Sequence, residues 1–162
     1  MSKIRVGLGF DVHQLVEGRE LWLGGIKIDH EKGLLGHSDA DVLIHAICDA
    51  ILGAANLRDI GYHFPPQKGN EYENIDSKIL LKKTLDLVKN KGYSLGNIDS
   101  TICAERPKIN PYIPKMKVVL SQVMNIDEDD ISIKATTTEK LGFTGREEGI
   151  SAYAVVLLEK EG

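Results

Sequence analysis

Two segments decide the fold of this chain: Phe10-Asp11-Val12-His13, and His37-Ser38-Asp39-Ala40-Asp41-Val42-Leu43-Ile44-His45. If Ile4 to Leu15 forms a strand, Asp11 and His13 leave the same face of it, because side chains alternate along a strand. His45 lies on a predicted helix and can join them. A carboxylate and two imidazoles suit zinc and leave its fourth position open, which favours chemistry over a purely structural role.

Length and composition limit the classes of protein that fit. The chain has 162 residues, 42% of them hydrophobic, which predicts a single domain over 1–162 with its own core. A net charge of -4 and 6% aromatic residues argue against a nucleic acid partner. Cys48 and Cys103 are predicted to be reduced core residues. The sequence contains neither an apolar signal core nor a membrane-length apolar run, so we expect a cytoplasmic protein, or a plastid-type one if a transit segment was removed.

Hydrophobic periodicity predicts an α/β (α+β-like) fold, a mixed β-sheet with helices packed on one face and preceded by a β-hairpin. In the hairpin, residues 21–28 are a second strand that pairs with the first. Ser38 or Asp39 caps the first helix, and Asp76 or Ser77 caps the second. Pro114 is placed in the first turn of a third helix. Further strands are predicted at 97–104, 131–135 and 149–159, and a mobile, ligand-covering loop at 62–70.

Each candidate site residue also has an ordinary structural interpretation. Asp11 and His13 alone could form a solvated strand face, and His45 alone could be a hydrogen-bonded helix residue. The combination favours a metal, with Asp41 and Asp49 orienting the second nitrogen of His45.

Two segments are typical of phosphate binding. His37-Ser38 precedes a helix, whose free amides and positive end attract a phosphate, although Ser38 could be a plain N-cap. Thr136-Thr137-Thr138-Glu139 follows a strand, and its hydroxyls and amides could hold phosphate oxygens while Glu139 offers an oxygen ligand to magnesium. Lys108, on a proline-flanked loop, could neutralise a diphosphate or simply be solvated. Residue chemistry therefore indicates a metal-dependent protein that handles a phosphorylated small molecule, without fixing the reaction.

Five motifs resemble those of the 2-C-methyl-D-erythritol 2,4-cyclodiphosphate synthases of non-mevalonate isoprenoid biosynthesis. The resemblance covers essentially the whole length, and the run from Lys134 to Arg146 is its most specific part. The matching segments are Gly9-Phe10-Asp11-Val12-His13, Gly33-Leu34-Leu35-Gly36-His37-Ser38-Asp39, Asp59-Ile60-Gly61, Pro107-Lys108 and Lys134-Ala135-Thr136-Thr137-Thr138-Glu139-Lys140-Leu141-Gly142-Phe143-Thr144-Gly145-Arg146.

The resemblance implies a reaction and its cofactors. The substrate would be 4-diphosphocytidyl-2-C-methyl-D-erythritol 2-phosphate, whose 2-phosphate attacks the β-phosphorus and releases CMP. Zinc would be held by Asp11, His13 and His45, and magnesium or manganese by Glu139. The enzyme would then work by positioning and by neutralising charge on an in-line displacement.

The resemblance also implies roles for individual residues. His37 and Thr137 would stabilise the transition state, and Asp59 would bind the methylerythritol hydroxyls. The remaining residues of the substrate-binding set are Ser38, Ile60, Gly61, Phe64, Ala104, Lys108, Ile109, Asn110, Ala135, Thr136, Thr138, Phe143 and Arg146. One position departs from the family pattern, since many members have an aspartate where this chain has Pro66.

Members of the family are homotrimers with active sites between subunits, which implies a three-fold trimer here. A central cavity near Phe10, Arg146 and Glu148 would hold an isoprenoid diphosphate, and no membrane or nucleic acid partner is implied. Two rivals stay open. A metal-dependent phosphohydrolase would need a water-activating base beside the zinc, and a nucleotide-binding regulatory module would close its structural zinc with four protein ligands.

Overall fold

Seven strands and five helices make up the computed structural model, which describes residues 3–67, 69 and 71–161. The strands are β1 (Ile4–Glu17), β2 (Leu21–Leu23), β3 (Ile26–Ile28), β4 (Lys32–Leu34), β5 (Tyr93–Cys103), β6 (Ile131–Thr136) and β7 (Gly149–Lys160). The helices are α1 (Val42–Ala54), α2 (Ile60–His63), α3 (Ser77–Asn90), α4 (Ile113–Met124) and α5 (Gly142–Gly145).

The main sheet has five strands in the order β4-β1-β7-β5-β6. Strand β7 pairs antiparallel with both β1 and β5, whereas β5 and β6 are parallel, which confirms the predicted mixed sheet. The predicted single strand over 21–28 is wrong. Gly24 and Gly25 have φ values of 62° and 81°, and the turn they make folds β2 and β3 against each other as a separate two-stranded sheet. The segment that pairs with β1 before α1 is β4.

Helix α1 packs on the inner face of the sheet, against β1 and β7. The two glycines of β1 make this close approach possible. A Cβ atom on Gly9 would lie 1.8 Å from the carbonyl oxygen of Ala46, and one on Gly7 would lie 1.9 Å from that of Ala50. Helix α3 packs outside α1, and α4 packs on β6 and α3. The helices therefore cover one face of the sheet, as predicted.

The outer face of the sheet carries apolar side chains that a single chain leaves exposed. Val6 and Leu8 of β1 are 66% and 68% exposed, and Tyr153 and Val155 of β7 are also exposed. Towards β5 and β6 the same face becomes polar, with an ion pair between Lys134 and Asp99 at 2.8 Å. This division shows that the apolar part of the outer face is confined to β1 and β7.

Several local predictions can be compared with the structure. Asp76 caps α3 and Pro114 lies in the first turn of α4, as predicted. Helix α1 begins later than predicted and is capped by Asp41 rather than by Ser38 or Asp39. Both cysteines are free. Among the described residues, no helix combines the length and apolar character needed to cross a membrane. Lys68 and Asn70 of the predicted loop lie outside the described residues.

Candidate metal centre

Asp11, His13 and His45 converge at one point between the sheet and α1. Asp11 and His13 lie on the inner face of β1, two and four residues after Gly9, and His45 lies in the first turn of α1. Asp11 Oδ2 is 2.9 Å from His13 Nε2 and 3.1 Å from His45 Nδ1, and the two imidazole nitrogens are 3.3 Å apart. Among the described residues, this is the one cluster of three such side chains with metal-binding geometry.

These distances fit a single ion with tetrahedral coordination. Zinc–nitrogen and zinc–oxygen bonds are about 2.0–2.1 Å long, so two ligand atoms of a tetrahedron lie about 3.3 Å apart. The three separations here are at or slightly below that value. The donor set, two imidazoles and one carboxylate, is that of a catalytic zinc site with an open fourth position.

Hydrogen bonds to the outer nitrogen of each imidazole leave its other nitrogen facing Asp11. His13 Nδ1 lies 2.9 Å from the carbonyl oxygen of Leu35 and donates to it, so Nε2 is the nitrogen available to a metal. On the far side of His45, Nε2 lies 2.9 Å from Ser77 Oγ and 3.3 Å from Ser38 Oγ. His13 Nε2 and His45 Nδ1 are therefore the nitrogens available to a metal, and both face Asp11.

The predicted orientation of His45 by Asp41 and Asp49 is wrong. The Asp41 carboxylate is fully buried and accepts hydrogen bonds from the backbone amides of Gly24, Gly25 and Ile44, so it ties the β2–β3 turn to the start of α1. Burial and the neighbouring charge of Asp39 raise the pKa of Asp41. Asp49 instead accepts from the amide of Ile60 at the start of α2.

Electrostatics inside the cluster couple the carboxylate to the imidazoles. In the metal-free protein, burial alone would raise the pKa of Asp11, but hydrogen bonds and charge interactions with His13 and His45 outweigh it and lower that pKa to about 2. Burial alone would lower the pKa of His13, and its hydrogen bond and charge interaction with Asp11 raise it instead. Asp11 is therefore an anion at neutral pH, as a metal ligand must be.

The triad opens into a cavity of about 230 Å³, called here the metal-side cavity. It brings together eight residues singled out from the sequence, and four others from the segment 66–80 complete its wall. Those eight are Asp11, His13, His37, Ser38, His45, Ile60, Gly61 and Phe64, and the four are Pro66, Tyr72, Ile75 and Leu80. Asp59 lies beside the cavity, where its Oδ1 caps α2 by accepting from the amide of Tyr62 at 2.9 Å.

The loop that carries His37 is fixed by residues that sequence reasoning missed. Arg19 donates from Nε to the carbonyl oxygen of Leu34 and from its terminal nitrogen to that of Ser38, both at 2.9 Å. The amide of Asn74 donates to the carbonyl oxygen of His37. The prediction that the amides at the start of α1 bind a phosphate is wrong, because the buried Asp41 carboxylate occupies that helix end.

A second cavity, of about 260 Å³, lies at the carboxyl ends of the parallel strands β5 and β6 and is called here the strand-end cavity. Seven of its lining residues were singled out from the sequence: Ala104, Lys108, Ile109, Asn110, Ala135, Thr136 and Thr137. Thr138 and Glu139 follow in a tight turn, in which Thr138 Oγ1 donates to the carbonyl oxygen of Leu141 and the Glu139 amide donates to Thr137 Oγ1. Thr138 and Glu139 lie outside the described linings of both cavities.

The two cavities are well separated within one chain. His13 is paired with Ile150 of β7, Ser151 with Cys103 of β5, and Cys103 with Thr136 of β6. Three strand spacings of about 4.8 Å therefore place the backbones of His13 and Thr136, one at each cavity, about 14 Å apart across the sheet.

Phe143 is outside the linings of both cavities and instead lines a third cavity, of about 460 Å³. This third cavity is also lined by His13, so it adjoins the triad, and its other lining residues are Val12, Gln14, Glu148 and Gly149. Arg146 donates to Glu148 Oε1 at 2.5 Å next to it, and the ring of Phe10 packs against Tyr153 at 4.9 Å.

The sequence model of the YgbB family matches residues 4–159. The chain belongs to the YgbB family. Two relatives, from Bacteroides fragilis and Bacteroides thetaiotaomicron, are 77% and 75% identical over 158 and 159 residues, in each case 98% of this chain and 99% of the relative. Both carry the name 2-C-methyl-D-erythritol 2,4-cyclodiphosphate synthase.

Solved structures support the same family. The chain superposes on the bifunctional IspDF of Campylobacter jejuni with a TM-score of 0.95 at 43% identity; the match covers 99% of this chain but only 43% of that longer one. IspF of Plasmodium falciparum, solved as a CDP complex, matches with a TM-score of 0.86 at 38% identity over 98% of this chain and 97% of that one. Both matches extend over nearly the whole chain, so the family fold includes both cavities.

Proposed function

We propose that this protein cyclises 4-diphosphocytidyl-2-C-methyl-D-erythritol 2-phosphate to 2-C-methyl-D-erythritol 2,4-cyclodiphosphate and releases CMP. The observation that carries the proposal is the convergence of Asp11 Oδ2, His13 Nε2 and His45 Nδ1 at the wall of an open cavity. Relatives at 77% identity bear the name of this synthase, which fixes the substrate that we propose.

The proposed reaction is an intramolecular phosphoryl transfer. An oxygen of the substrate's 2-phosphate forms a bond to the β-phosphorus, and the bond from that phosphorus to the bridging oxygen of the α-phosphate breaks. The electron pair leaves with CMP, so the enzyme acts as a cyclising phosphorus–oxygen lyase. Because the nucleophile is part of the substrate, the protein has to position charges and reacting atoms and needs no nucleophile of its own.

The side chains around the triad agree with this requirement. Ser38 Oγ accepts a hydrogen bond from the amide of Ala40 and lies 3.3 Å from His45 Nε2, a nitrogen that points away from the metal position. Burial raises the pKa of the Cys48 thiol to about 12, which keeps it protonated. Neither group is an activated nucleophile, which supports substrate-supplied chemistry over a covalent intermediate.

We propose zinc at the triad and magnesium or manganese at Glu139. A divalent cation on a diphosphate neutralises the charge that develops on the phosphoryl oxygens. Asp11, His13 and His45 would hold the zinc, and Glu139, which is exposed at the end of its turn, would hold the second ion. His37 and Thr137 would hydrogen-bond the phosphoryl group under attack.

The remaining residues would bind the two ends of the substrate. Asp59, Ile60, Gly61 and Phe64 lie at the metal-side cavity, where the methylerythritol would be held together with Ser38. The strand-end cavity would take the cytidine diphosphate, with the exposed ammonium group of Lys108 close to its phosphates. Thr138, Phe143 and Arg146 complete the set that the family resemblance implies.

We propose a homotrimer whose active sites lie between subunits. Two features support it. The outer face of β1 and β7 exposes a row of neighbouring apolar side chains, which is typical of an interaction surface, and the backbones of His13 and Thr136, one at each cavity, are about 14 Å apart within one chain. In the trimer, the metal-side cavity of one subunit would face the strand-end cavity of the next.

The same assembly would enclose a central cavity near Phe10, Arg146 and Glu148, where we propose that an isoprenoid diphosphate binds. Native mass spectrometry of the purified protein tests this, and a consistently empty assembly would contradict it. Two free cysteines and bacterial relatives support a cytoplasmic location.

Phosphorus NMR of the reaction with the cytidine substrate tests the function. Ring closure predicts CMP together with a cyclic product whose two phosphorus nuclei are coupled through one bridging oxygen. Linear monophosphates would instead identify a phosphohydrolase, and tight CDP binding without turnover would identify a regulatory module. Parallel reactions with the chelator-treated protein, with and without added zinc, control for metal-independent breakdown.

A further inference from the structure

Ser77 is fully buried at the start of α3, and its hydroxyl lies against a metal ligand. From the sequence, Ser77 is predicted only as an alternative to Asp76 for the cap of this helix. The structure gives that role to Asp76, whose carboxylate accepts from the amide of Lys78. The Ser77 hydroxyl is therefore available for another contact, and it lies 2.9 Å from His45 Nε2.

The direction of each hydrogen bond follows from counting protons. Asp39 Oδ1 lies 2.5 Å from Ser77 Oγ, and Asp39 Oδ2 lies 3.0 Å from the Ser77 amide nitrogen. An ionised carboxylate only accepts, so the single hydroxyl proton of Ser77 points at Asp39. Ser77 Oγ can then meet His45 Nε2 only as an acceptor, and Nε2 must carry the proton.

This proton placement decides which nitrogen of His45 can bind a metal. A neutral imidazole carries one N–H, so a protonated Nε2 leaves the lone pair on Nδ1. Nδ1 is the atom that lies 3.1 Å from Asp11 Oδ2 and 3.3 Å from His13 Nε2. Ser38 Oγ also faces Nε2, but at 3.3 Å it is the more distant acceptor.

We propose that Asp39 and Ser77 are positioning residues of the metal centre: the Asp39 carboxylate holds the Ser77 hydroxyl as an acceptor, and that hydroxyl holds His45 with Nδ1 facing the metal. The proposal rests on the metal site proposed above. Such partners fix the orientation of a ligating imidazole and raise its basicity, and removing them lowers metal affinity roughly 10–100-fold.

Asp39 also connects this relay to the start of α1. Its Oδ1 accepts from the amide of Asp41 at 3.0 Å, so one carboxylate joins the loop before α1 to the first residue of α3. Both oxygens of Asp39 accept hydrogen bonds, from the Asp41 amide and from the hydroxyl and amide of Ser77. An asparagine has an NH₂ group in place of one oxygen, so in either orientation of its amide that group would face one of these donors. Asp39→Asn is therefore expected to weaken the relay without changing side-chain volume.

The test compares zinc affinity, measured by competition with a chromophoric chelator, in the wild type and four variants. Ser77→Ala and Asp39→Asn are expected to bind zinc roughly 10–100-fold more weakly than the wild type. Ser77→Thr keeps the hydroxyl and is expected to retain most of the affinity. Thr84→Val removes another fully buried hydroxyl from the same helix, away from the triad, and is expected to leave zinc affinity unchanged.

Cobalt substitution gives a second measurement that is independent of activity. The visible absorption bands of bound cobalt are expected to shift in Ser77→Ala and to stay at their wild-type positions in Thr84→Val, since only the first change frees a ligand to rotate. Thermal melts of the metal-free proteins identify any variant that fails to fold. If Ser77→Ala does not fold, the zinc affinity of Asp39→Asn tests the proposal in its place.

Wild-type affinity and an unchanged cobalt spectrum in a folded Ser77→Ala protein would overturn the relay while leaving the proposed function intact. An equal loss of affinity in Thr84→Val would also overturn it, since the effect would then be one of general packing. If the wild-type protein itself bound no zinc, the proposed metal site would fail together with the relay.

Discussion

The two faces of β1 differ in what they contact, although residues of the two faces alternate along the same strand. The inner face carries Gly7, Gly9, Asp11 and His13, and within a single chain it is completed by α1 packing and by the metal triad. The outer face carries apolar side chains such as Leu8, and no described part of the chain covers it. The difference teaches that one chain is sufficient to bring the three candidate ligands together, whereas the outer face is suited to packing against another subunit of the proposed trimer.

The inner face of β1 restricts the size of its residues more strictly than the outer face does. It must bring two backbones into contact and then hold three ligand atoms within 3.3 Å of one another. Close packing of this kind tolerates no added atoms, because the backbone cannot move aside without disturbing α1. The outer face only has to be apolar and of the right shape, so it should tolerate more change before the chain unfolds.

The largest effect is expected from Gly9→Ala on the inner face. The new Cβ would lie 1.8 Å from the carbonyl oxygen of Ala46 and 2.7 Å from the amide of Ala50, both backbone atoms. Urea unfolding should show a loss of about 3 kcal/mol or more, or no folded protein at all. Gly53→Ala in α1 is the control, since its added Cβ meets nothing within 4 Å and should stabilise the helix slightly. Equal stability of the two variants would show that the close approach of strand and helix is not needed.

His45→Ala should remove metal and activity but keep the fold. The chain would lose one of three ligands, and zinc measured by atomic emission should fall from about one ion per chain to near zero. The circular dichroism spectrum should change little, although the Ser77 hydroxyl would lose its partner, at a cost of about 1–3 kcal/mol. His30→Ala, outside the triad, is the matched control. Zinc retained at the wild-type ratio in His45→Ala would refute the assignment of the ligands.

On the outer face, Leu8→Glu should abolish assembly while leaving each chain folded. The side chain is 68% exposed in the single chain, so a charge there costs little until subunits pack together. Sedimentation should report a monomer with a native-like circular dichroism spectrum and without turnover, because the proposed active site spans two subunits. Val118→Glu on α4, where the valine is 42% exposed, is the control and should assemble normally. A Leu8→Glu protein with wild-type mass would contradict the assignment of this face.

The smallest effect concerns the pH dependence of stability in the metal-free protein. The pKa of Asp11 is lowered from 3.8 to about 2, so its contribution of about 2 kcal/mol is fully present above pH 3.8 and is lost as pH falls through about 2. The pKa of His13 is raised, so its contribution is present below pH 6.5 and is lost as pH rises through the higher folded value.

Chelator-treated wild-type and Asp11→Asn proteins, unfolded in urea across this pH range, provide the measurement. The wild type should be the more stable between about pH 4 and pH 6.5, and its advantage should shrink on either side. An advantage that stays constant from about pH 2 to pH 9 would show that the inner face is not held by this charge pair.

Local patterns in the sequence were enough to predict much of this molecule. Alternation along β1 put Asp11 and His13 on one face, and the caps and prolines located α3 and α4 to within a residue or two. These features depend on residues close together in the chain. The prediction at 21–28 failed because Gly24 and Gly25 form a turn, a conformation that a run of strand-forming residues does not reveal.

The sequence by itself determined the family and the side-chain types of the candidate ligands, because motifs and side-chain chemistry can be identified residue by residue. Only the tertiary structure decided which groups orient those ligands. Asp41 and Asp49 are close to His45 along α1, yet its partner is Ser77, 32 residues away, held in turn by Asp39. A hydrogen bond depends on distance and direction in space, and the packing of α3 against α1 sets both for this pair.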